Sequence, residues 1–175
     1  MPRPCLTLRS PKISDGPVLE TAQYGGYGFS GLPHFVNDDL PWEDKVAVVN
    51  QYNLGAYRSA DKGLMPGQWL VADIAGHPVG IISIRRKLND YLALYGGHIG
   101  YGVLEEHRYR GYASEMLRQG LMILATYGVR NILVTCDNRN VGSAKVIERN
   151  GGQLESLARE HAAQCRLVRR YWFHQ

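Results

Sequence analysis

The stretch E-H-R-Y-R-G-Y-A-S-E-M-L, residues 106–117, decides how the rest of this chain is read. From Gly111 onward, Ala113, Met116, Leu117, Leu121 and Leu124 recur at helical spacing and predict a helix with one buried face. Arg108 and Arg110 stand immediately before it. The first turn of a helix already presents unpaired N–H groups and partial positive charge. Two further cations there are unfavourable unless an anion shares the place. Gly111 and Ala113 carry little or no side chain, so an anion could approach the backbone closely. Free N–H groups, arginines and small residues together suit a pyrophosphate.

The flanks supply the context. Upstream, G-G-H-I-G-Y-G-V-L (96–104) predicts a strand weakened by Gly100 and Gly102, which allow a bulge or the close approach of another chain or ligand. Downstream, the helix stops at Gly128, and N-I-L-V-T-C (131–136) predicts a short buried strand. Residues 97–136 therefore form one strand–helix–strand crossover, in which ligands sit where the helix begins. Further out, Q-W-L-V-A-D-I-A-G-H-P-V-G-I-I-S-I-R-R predicts strands over 69–73 and 79–85, joined by a turn at Gly76-His77-Pro78. A short strand near Leu6 to Arg9 precedes a helix over 15–23, an irregular aromatic segment over 24–44 and a second helix over 43–58. A helix from about Asn140 turns Ala144 and Ile147 inward and halts at Gly151-Gly152, and strands over 153–160 and 165–173 close the chain. The order of elements predicts one domain over 1–175, of mixed α/β (α+β) class, with helices on the faces of a mixed sheet.

Composition narrows the classes. With 175 residues, 45% hydrophobic and 21% charged, the chain is long enough for a sizeable core. Its apolar runs, such as G-L-M-I-L-A (120–125), are too short to span a bilayer, and M-P-R-P-C-L-T-L-R-S lacks the pattern of a signal peptide. A cytoplasmic protein without membrane contact is expected. Cys5, Cys136 and Cys165 show no C-x-x-C spacing and the six histidines no H-x-x-H pair, so reduced thiols and no metal are expected. The net charge of +4 is modest. Arg85-Arg86-Lys87 and the arginines of 166–170 read as solvated faces, and no nucleic acid is expected; the rival reading would bind it through Arg166, Arg169 and Arg170.

Other phosphate motifs do not fit. G-x-x-x-x-G-K-[ST] is absent, and Gly97, Gly100 and Gly102 do not form G-x-G-x-x-G. What remains is R-x-x-G-x-A after a strand, followed beyond the next strand by N-R-N-V-G-S-A-K-V-I-E-R-N-G-G (138–152). Over residues 68–173 this combination resembles the GNAT superfamily of acetyl-CoA-dependent N-acetyltransferases. L-N-D-Y-L-A-L-Y-G-G-H-I-G-Y-G-V and R-R-Y-W-F are similar to a bacterial subgroup of unknown substrate. The resemblance implies a central, mostly antiparallel twisted sheet of about seven strands, splayed between strands 4 and 5, with about four helices. Residues 1–67 would form the acceptor side, 68–152 the acetyl-CoA-binding core and 153–175 the C-terminal strands. It also implies that Arg108, Tyr109, Arg110, Gly111, Tyr112, Ala113 and Ser114 hold the CoA pyrophosphate. The backbone of Tyr101, Gly102 and Val103 would pair with the pantetheine arm, and Asn140 and Ser143 would border the cofactor; Asn140 is equally a good helix N-cap.

The implied activity is transfer of an acetyl group from acetyl-CoA to a primary amine by direct attack in a ternary complex. The alternative is a CoA-binding sensor or regulatory protein without turnover. The implied partners are acetyl-CoA and an amine acceptor, either a small molecule or a protein, and the resemblance leaves room for a homodimer.

Catalytic residues are harder to place. Many relatives carry a glutamate and a tyrosine at the positions held here by Thr135 and Ile147, neither of which moves a proton. Three substitutes present themselves. His98 alternates onto the face opposite Ile99, Tyr101 and Val103 and has a suitable ordinary pKa. Asp90 could orient a cationic amine, or cap local N–H groups as a turn residue. Tyr171 could protonate the leaving thiolate, or pack in the core. Backbone N–H groups near Val103 would polarise the thioester carbonyl. Cys136 has no neighbouring base in sequence and is not expected to carry the acetyl group. In the family the first two helices and their loop wall the acceptor site. Tyr24, Tyr27, Phe29, Phe35 and Trp42 with Asp38, Asp39, Glu43 and Asp44 would suit a cationic acceptor there; equally, the aromatics pack on the core and the acids cap the second helix.

Overall fold

Apolar alternation in the chain resolves into seven strands. The computed structural model describes residues 5–22, 32–33, 35–57, 64–160 and 166–175. The strands are β1 (Thr7–Arg9), β2 (Gly67–Ile74), β3 (His77–Arg85), β4 (Ile99–Val103), β5 (Asn131–Asp137), β6 (Gln153–Arg159) and β7 (Leu167–His174). They form one open sheet in the order β1-β2-β3-β4-β5-β7-β6. All neighbours are antiparallel except β4 and β5. The α-helices among the described residues are α1 (Gly16–Leu19), α2 (Trp42–Asn53), α3 (Tyr112–Thr126) and α4 (Val141–Arg149). None is long and apolar enough to cross a membrane.

Strand parity divides the core in two. Ile82, Ile84, Ile99, Ile132 and Val134 face α3 and α4, packing on Met116, Leu117, Leu121, Leu124, Ala144 and Ile147. Trp69, Val71 and Ile81 face the other way, onto Val46, Val49 and Tyr52 of α2. Each fully buried aliphatic side chain contributes roughly 1.5–3 kcal/mol, so the stripe read from the sequence of α3 suffices to hold it on the sheet.

The feature that positions the site is a fork. β4 and β5 are in register only at Ile99 and Val134. From Gly100 to Val103, β4 continues to pair with β3, and its other edge meets no strand among the described residues. The splay implied by the family resemblance is thus present. At its vertex Gly97 has φ +66, and a Cβ there would lie 2.7 Å from the Leu133 carbonyl oxygen, so only glycine lets β5 come this near. The His98 amide donates to the Leu133 carbonyl at 2.7 Å, while the Leu133 amide donates to His98 Nδ1 at 2.9 Å. An imidazole has taken the place of a backbone acceptor, and the ladder stops one step later.

Several elements differ from the sequence-based expectations. The helix expected over 15–23 is a 3-10 turn, Ile13–Asp15, running into the single turn of α1; Glu20 and Thr21 add no apolar side chain to its buried face. α2 ends at Asn53 rather than near 58, because Gly55 adopts a left-handed conformation. The β2–β3 turn is Ala75-Gly76, both with positive φ, while His77 and Pro78 already belong to β3. The strand expected over 96–104 is shorter, since Leu92–Gly96 form a π-helical turn that the sequence pattern did not announce. The Asn89 side chain accepts from the Leu92 amide at 2.9 Å and starts that turn.

Candidate functional site

The opening stretch folds as a turn and a helix start. After β4, a 3-10 turn over Glu105–His107 leads to Tyr109, which is fully exposed with φ +62, and to Gly111, with φ +81, as the residue before α3. No side chain caps this helix end. Arg108 Nε donates to the Val103 carbonyl at 3.4 Å, and Arg110 Nη2 to the Glu106 carbonyl at 3.3 Å. Neither guanidinium meets a carboxylate among the described residues. Backbone donors and two cations therefore converge beyond the open end of β4. That arrangement can hold an anion.

The α4 side of the fork carries hydroxyls and a thiol. The Tyr101 hydroxyl and Ser143 Oγ lie 2.9 Å apart, joining β4 to the first turn of α4. Asn140 caps α4, its Oδ1 accepting from the Ser143 amide at 3.0 Å. The Tyr171 ring is buried in the core beside Val134, and its hydroxyl donates to Glu148 at 2.9 Å. Burial raises the Tyr101 phenol above its ordinary value, against a smaller lowering by Ser143. Burial likewise raises Tyr171 and pushes the Cys136 thiol up to about 11. These groups stay protonated at neutral pH, so Cys136 offers a thiol rather than a nucleophilic thiolate.

The opposite face is built around β3 and the vertex. Arg85 pairs with His98 across the β3–β4 ladder, its amide donating to the His98 carbonyl at 2.8 Å. Both side chains point away from the α3 core. His98 is buried, and its imidazole is held below its ordinary pKa chiefly by burial, with a further lowering by the Arg85 charge. Because Nδ1 accepts from Leu133, the neutral ring carries its proton on Nε2. Taking up a further proton would cost that bond. Thr135 Oγ1 donates to the Tyr95 carbonyl at 2.7 Å, and Arg170 donates to the Ala93 and Leu94 carbonyls, fastening the π-helical turn to β5 and β7. Asp90, at the start of that segment, is exposed and makes no hydrogen bond or ion pair with a described residue. His98 and Tyr171 lie on opposite faces of the sheet, so the structure does not bring the three sequence-derived catalytic candidates together.

The expected acceptor loop falls partly outside the described residues, which omit Tyr24, Tyr27 and Phe29. Phe35 and Trp42 are buried in the α2-side core, and Asp38, Asp39, Glu43 and Asp44 are exposed, the last two in the first turn of α2. The expectation of solvated arginine runs needs correction. Arg166 pairs with Glu160 and Arg170 with Glu155, Arg169 donates to Asn138 at 2.9 Å, and only Lys87 of the 85–87 run is exposed. Strand pairing and hairpin packing draw the others in. Arg86 stacks over the Tyr127 ring at 4.6 Å. Cys5 and Cys136 are free thiols and Cys165 lies outside the described residues. No cluster of three or more His, Cys, Asp or Glu able to hold a metal occurs among the described residues.

The fork and the α3 turn agree with a direct comparison of sequences: residues 6–153 match the family described as the acetyltransferase (GNAT) domain. The chain belongs to the GNAT acetyltransferase family. No curated protein matches the sequence. Solved GNAT-type structures share the fold at low identity. An acetyltransferase from Agrobacterium tumefaciens str. C58 is 24% identical, covers 100% of this chain and 95% of its own, and has a TM-score of 0.60. A GNAT-family acetyltransferase from Bacillus anthracis is 20% identical, covering 97% and 94%, with a TM-score of 0.66. The spermidine N-acetyltransferase from Vibrio cholerae, solved in complex with CoA and spermine, is 16% identical, covering 97% and 95%, also at 0.66. What these GNAT relatives share with the chain is architecture, and their acceptors are their own.

Proposed function

We propose that this GNAT chain moves an acetyl group from acetyl-CoA to a primary amine, the amine attacking the thioester directly while both substrates are bound. The fork carries this reading. It leaves the β4 backbone over Gly100–Val103 free on one edge and points it at the uncapped start of α3, where Arg108 and Arg110 face no carboxylate among the described residues. An extended arm ending in a pyrophosphate fits that sequence of groups: amides and carbonyls along Tyr101, Gly102 and Val103, then the turn Arg108–Ser114. Asn140 and Ser143, at the start of α4, are assigned to the same groove, an assignment supported by the contact of Ser143 with the Tyr101 hydroxyl at 2.9 Å. The Vibrio cholerae relative binds CoA together with an amine, which supports the same pairing here.

In the proposed step the amine nitrogen forms a bond to the carbonyl carbon, the C–S bond breaks and the thiolate leaves. β4 amides near Val103 stabilise the charge developing on oxygen. Positioning supplies much of the acceleration. Water takes the proton released from nitrogen, since His98 in its neutral form has no free lone pair. Tyr171, protonated before the step, is assigned as the donor to the thiolate and regains its proton from the one the amine released to water, and Asp90, exposed beside the π-helical turn, is assigned as a contact for the incoming amine. Initial rates with acetyl-CoA and an amine panel, read as thiol release, test the mechanism. Intersecting reciprocal plots are expected; parallel lines with an isolable acetyl-enzyme would refute direct attack.

A second reading, a CoA-binding sensor without turnover, draws on one observation. Ile147 is fully buried and Thr135 is engaged with Tyr95, so neither position where relatives carry proton carriers is available. Tight CoA binding with no thiol release on any amine would select it.

A further inference from the structure

Several half-buried arginines of this molecule meet carboxylates. Arg9 bonds Asp15 and Asp73, Arg118 bonds Glu115, Arg166 bonds Glu160 and Arg170 bonds Glu155. Arg85 is half-buried on β3, and its guanidinium donates only to the Gly97 carbonyl, at 3.2 Å, among the described residues. No carboxylate among the described residues pairs with it; Tyr52 from α2 and Tyr91 from the π-helical turn interact with it, and neither is ionised at neutral pH. The adjacent imidazole of His98 is neutral. A guanidinium withdrawn from water with only a carbonyl partner is costly unless an anion completes it.

Its position says what kind of anion. Arg85 and Ser83 share the face opposite α3, and Ser83 lies across from Gly100, the first residue beyond the fork's vertex. A two-residue step along the strand, roughly 7 Å, separates Arg85 from that level. The β4 positions on this face beyond the vertex are Gly100 and Gly102, which put no side chain between the cation and the open fork. A second positive charge of a polyamine placed here would be repelled by Arg85.

We infer that Arg85 binds a carboxylate of the acceptor, so that the amine acetylated by this protein belongs to an amino acid or a peptide and lies several bonds from that carboxylate. This rests on the proposed acetyl transfer for its use, though not for its detection. The carboxylate of a free amino acid and the C-terminus of a peptide present the same group to Arg85, and the panel below separates them by size.

The test is calorimetric titration of the CoA-saturated protein with matched ligands: lysine against cadaverine, ornithine against putrescine, and a lysine-terminated dipeptide. Thiol release from acetyl-CoA is measured on the same set. Wild type is expected to bind the carboxylated member of each pair at least about tenfold more tightly. Arg85→Gln should erase that preference while CoA affinity is kept, and Arg85→Lys should retain part of it, which also reports that the fold survives. Preference for the dipeptide over lysine would assign the peptide source, and the reverse the free amino acid. Equal or tighter binding of the decarboxylated amines, a preference that survives Arg85→Gln, or no carboxylate-dependent binding at all would overturn the inference. Carboxylate-dependent binding without thiol release would instead overturn acetyl transfer and leave the Arg85 site standing.

Discussion

Two places in this molecule hold positive charge near the fork, and they hold it in opposite ways. Arg108, half-buried, and Arg110, exposed, stand in one turn and among the described residues hydrogen-bond only main-chain carbonyls. Arg85 is drawn into the sheet beside a neutral histidine and two tyrosines, and burial lowers its pKa from the ordinary arginine value. In the turn, water carries the cost of charge until a ligand arrives, so the fold is indifferent to the arginines. At the vertex the fold itself bears the cost. Substitutions should therefore separate ligand affinity from stability at the turn and mix them at the vertex.

The largest effect is expected at the vertex. Gly97→Ala would put a methyl 2.7 Å from the Leu133 oxygen in a left-handed conformation, and should cost about 3 kcal/mol in denaturant unfolding. A cost below about 1 kcal/mol would mean the β4–β5 junction is pliable, and the contrast with the turn would dissolve. Next is Gly111→Glu, which places an anion where the pyrophosphate is assigned. CoA affinity should fall about fiftyfold, with a stability change of only about 1 kcal/mol from the positive φ. Arg108→Ala should follow, at about tenfold in CoA affinity and no change in unfolding midpoint. Unchanged CoA titrations for both turn variants would break the donor assignment.

The smallest effect is a pH dependence. His98 in the folded protein has a pKa below its ordinary value of 6.5, chiefly through burial. The unfolded chain therefore takes the proton first. Stability is unaffected above that value and declines as pH falls from it toward the folded pKa, by less than about 1.4 kcal/mol per pH unit. Unfolding curves between pH 7 and 5 should show this slope in wild type and a shallower one in His98→Gln. Equal slopes would mean His98 is solvated like the turn residues.

The local structure around the α3 turn, proposed as the donor side, was legible because its signals lie close together in sequence. The apolar stripe of α3, the glycine before it and the Asn140 cap are each declared within a few residues, and strand parity put Tyr101 and Val103 together with Ile99. The other half depends on partners far apart in sequence: Arg85 with Gly97, Tyr52 with Arg85, Thr135 with Tyr95 and Arg170 with Ala93. R-R-K at 85–87 reads as a solvated run, although parity along I-I-S-I-R would have set Arg85 on the same face as Ser83. The π-helical turn has no periodic signature, and Phe35 and Trp42 look alike whether they line a cleft or fill a core. Tyr171 was placed on the right strand; its hydrogen bond to Glu148 of α4 arises only when β7 docks beside β5.

The single residue pair joining β4 to β5 also divides the chain by time of synthesis. Strands β1 to β4 all lie before residue 104, and β5, β7 and β6 all lie after residue 130, with α3 as the link. The first four strands can complete their antiparallel ladder while the last three are still being made. The groove is then a seam between strands drawn from the two halves of the chain, held together at one end by the His98 ring. The open edge of β4 therefore lies on the boundary between an N-terminal four-stranded ladder and a C-terminal three-stranded one.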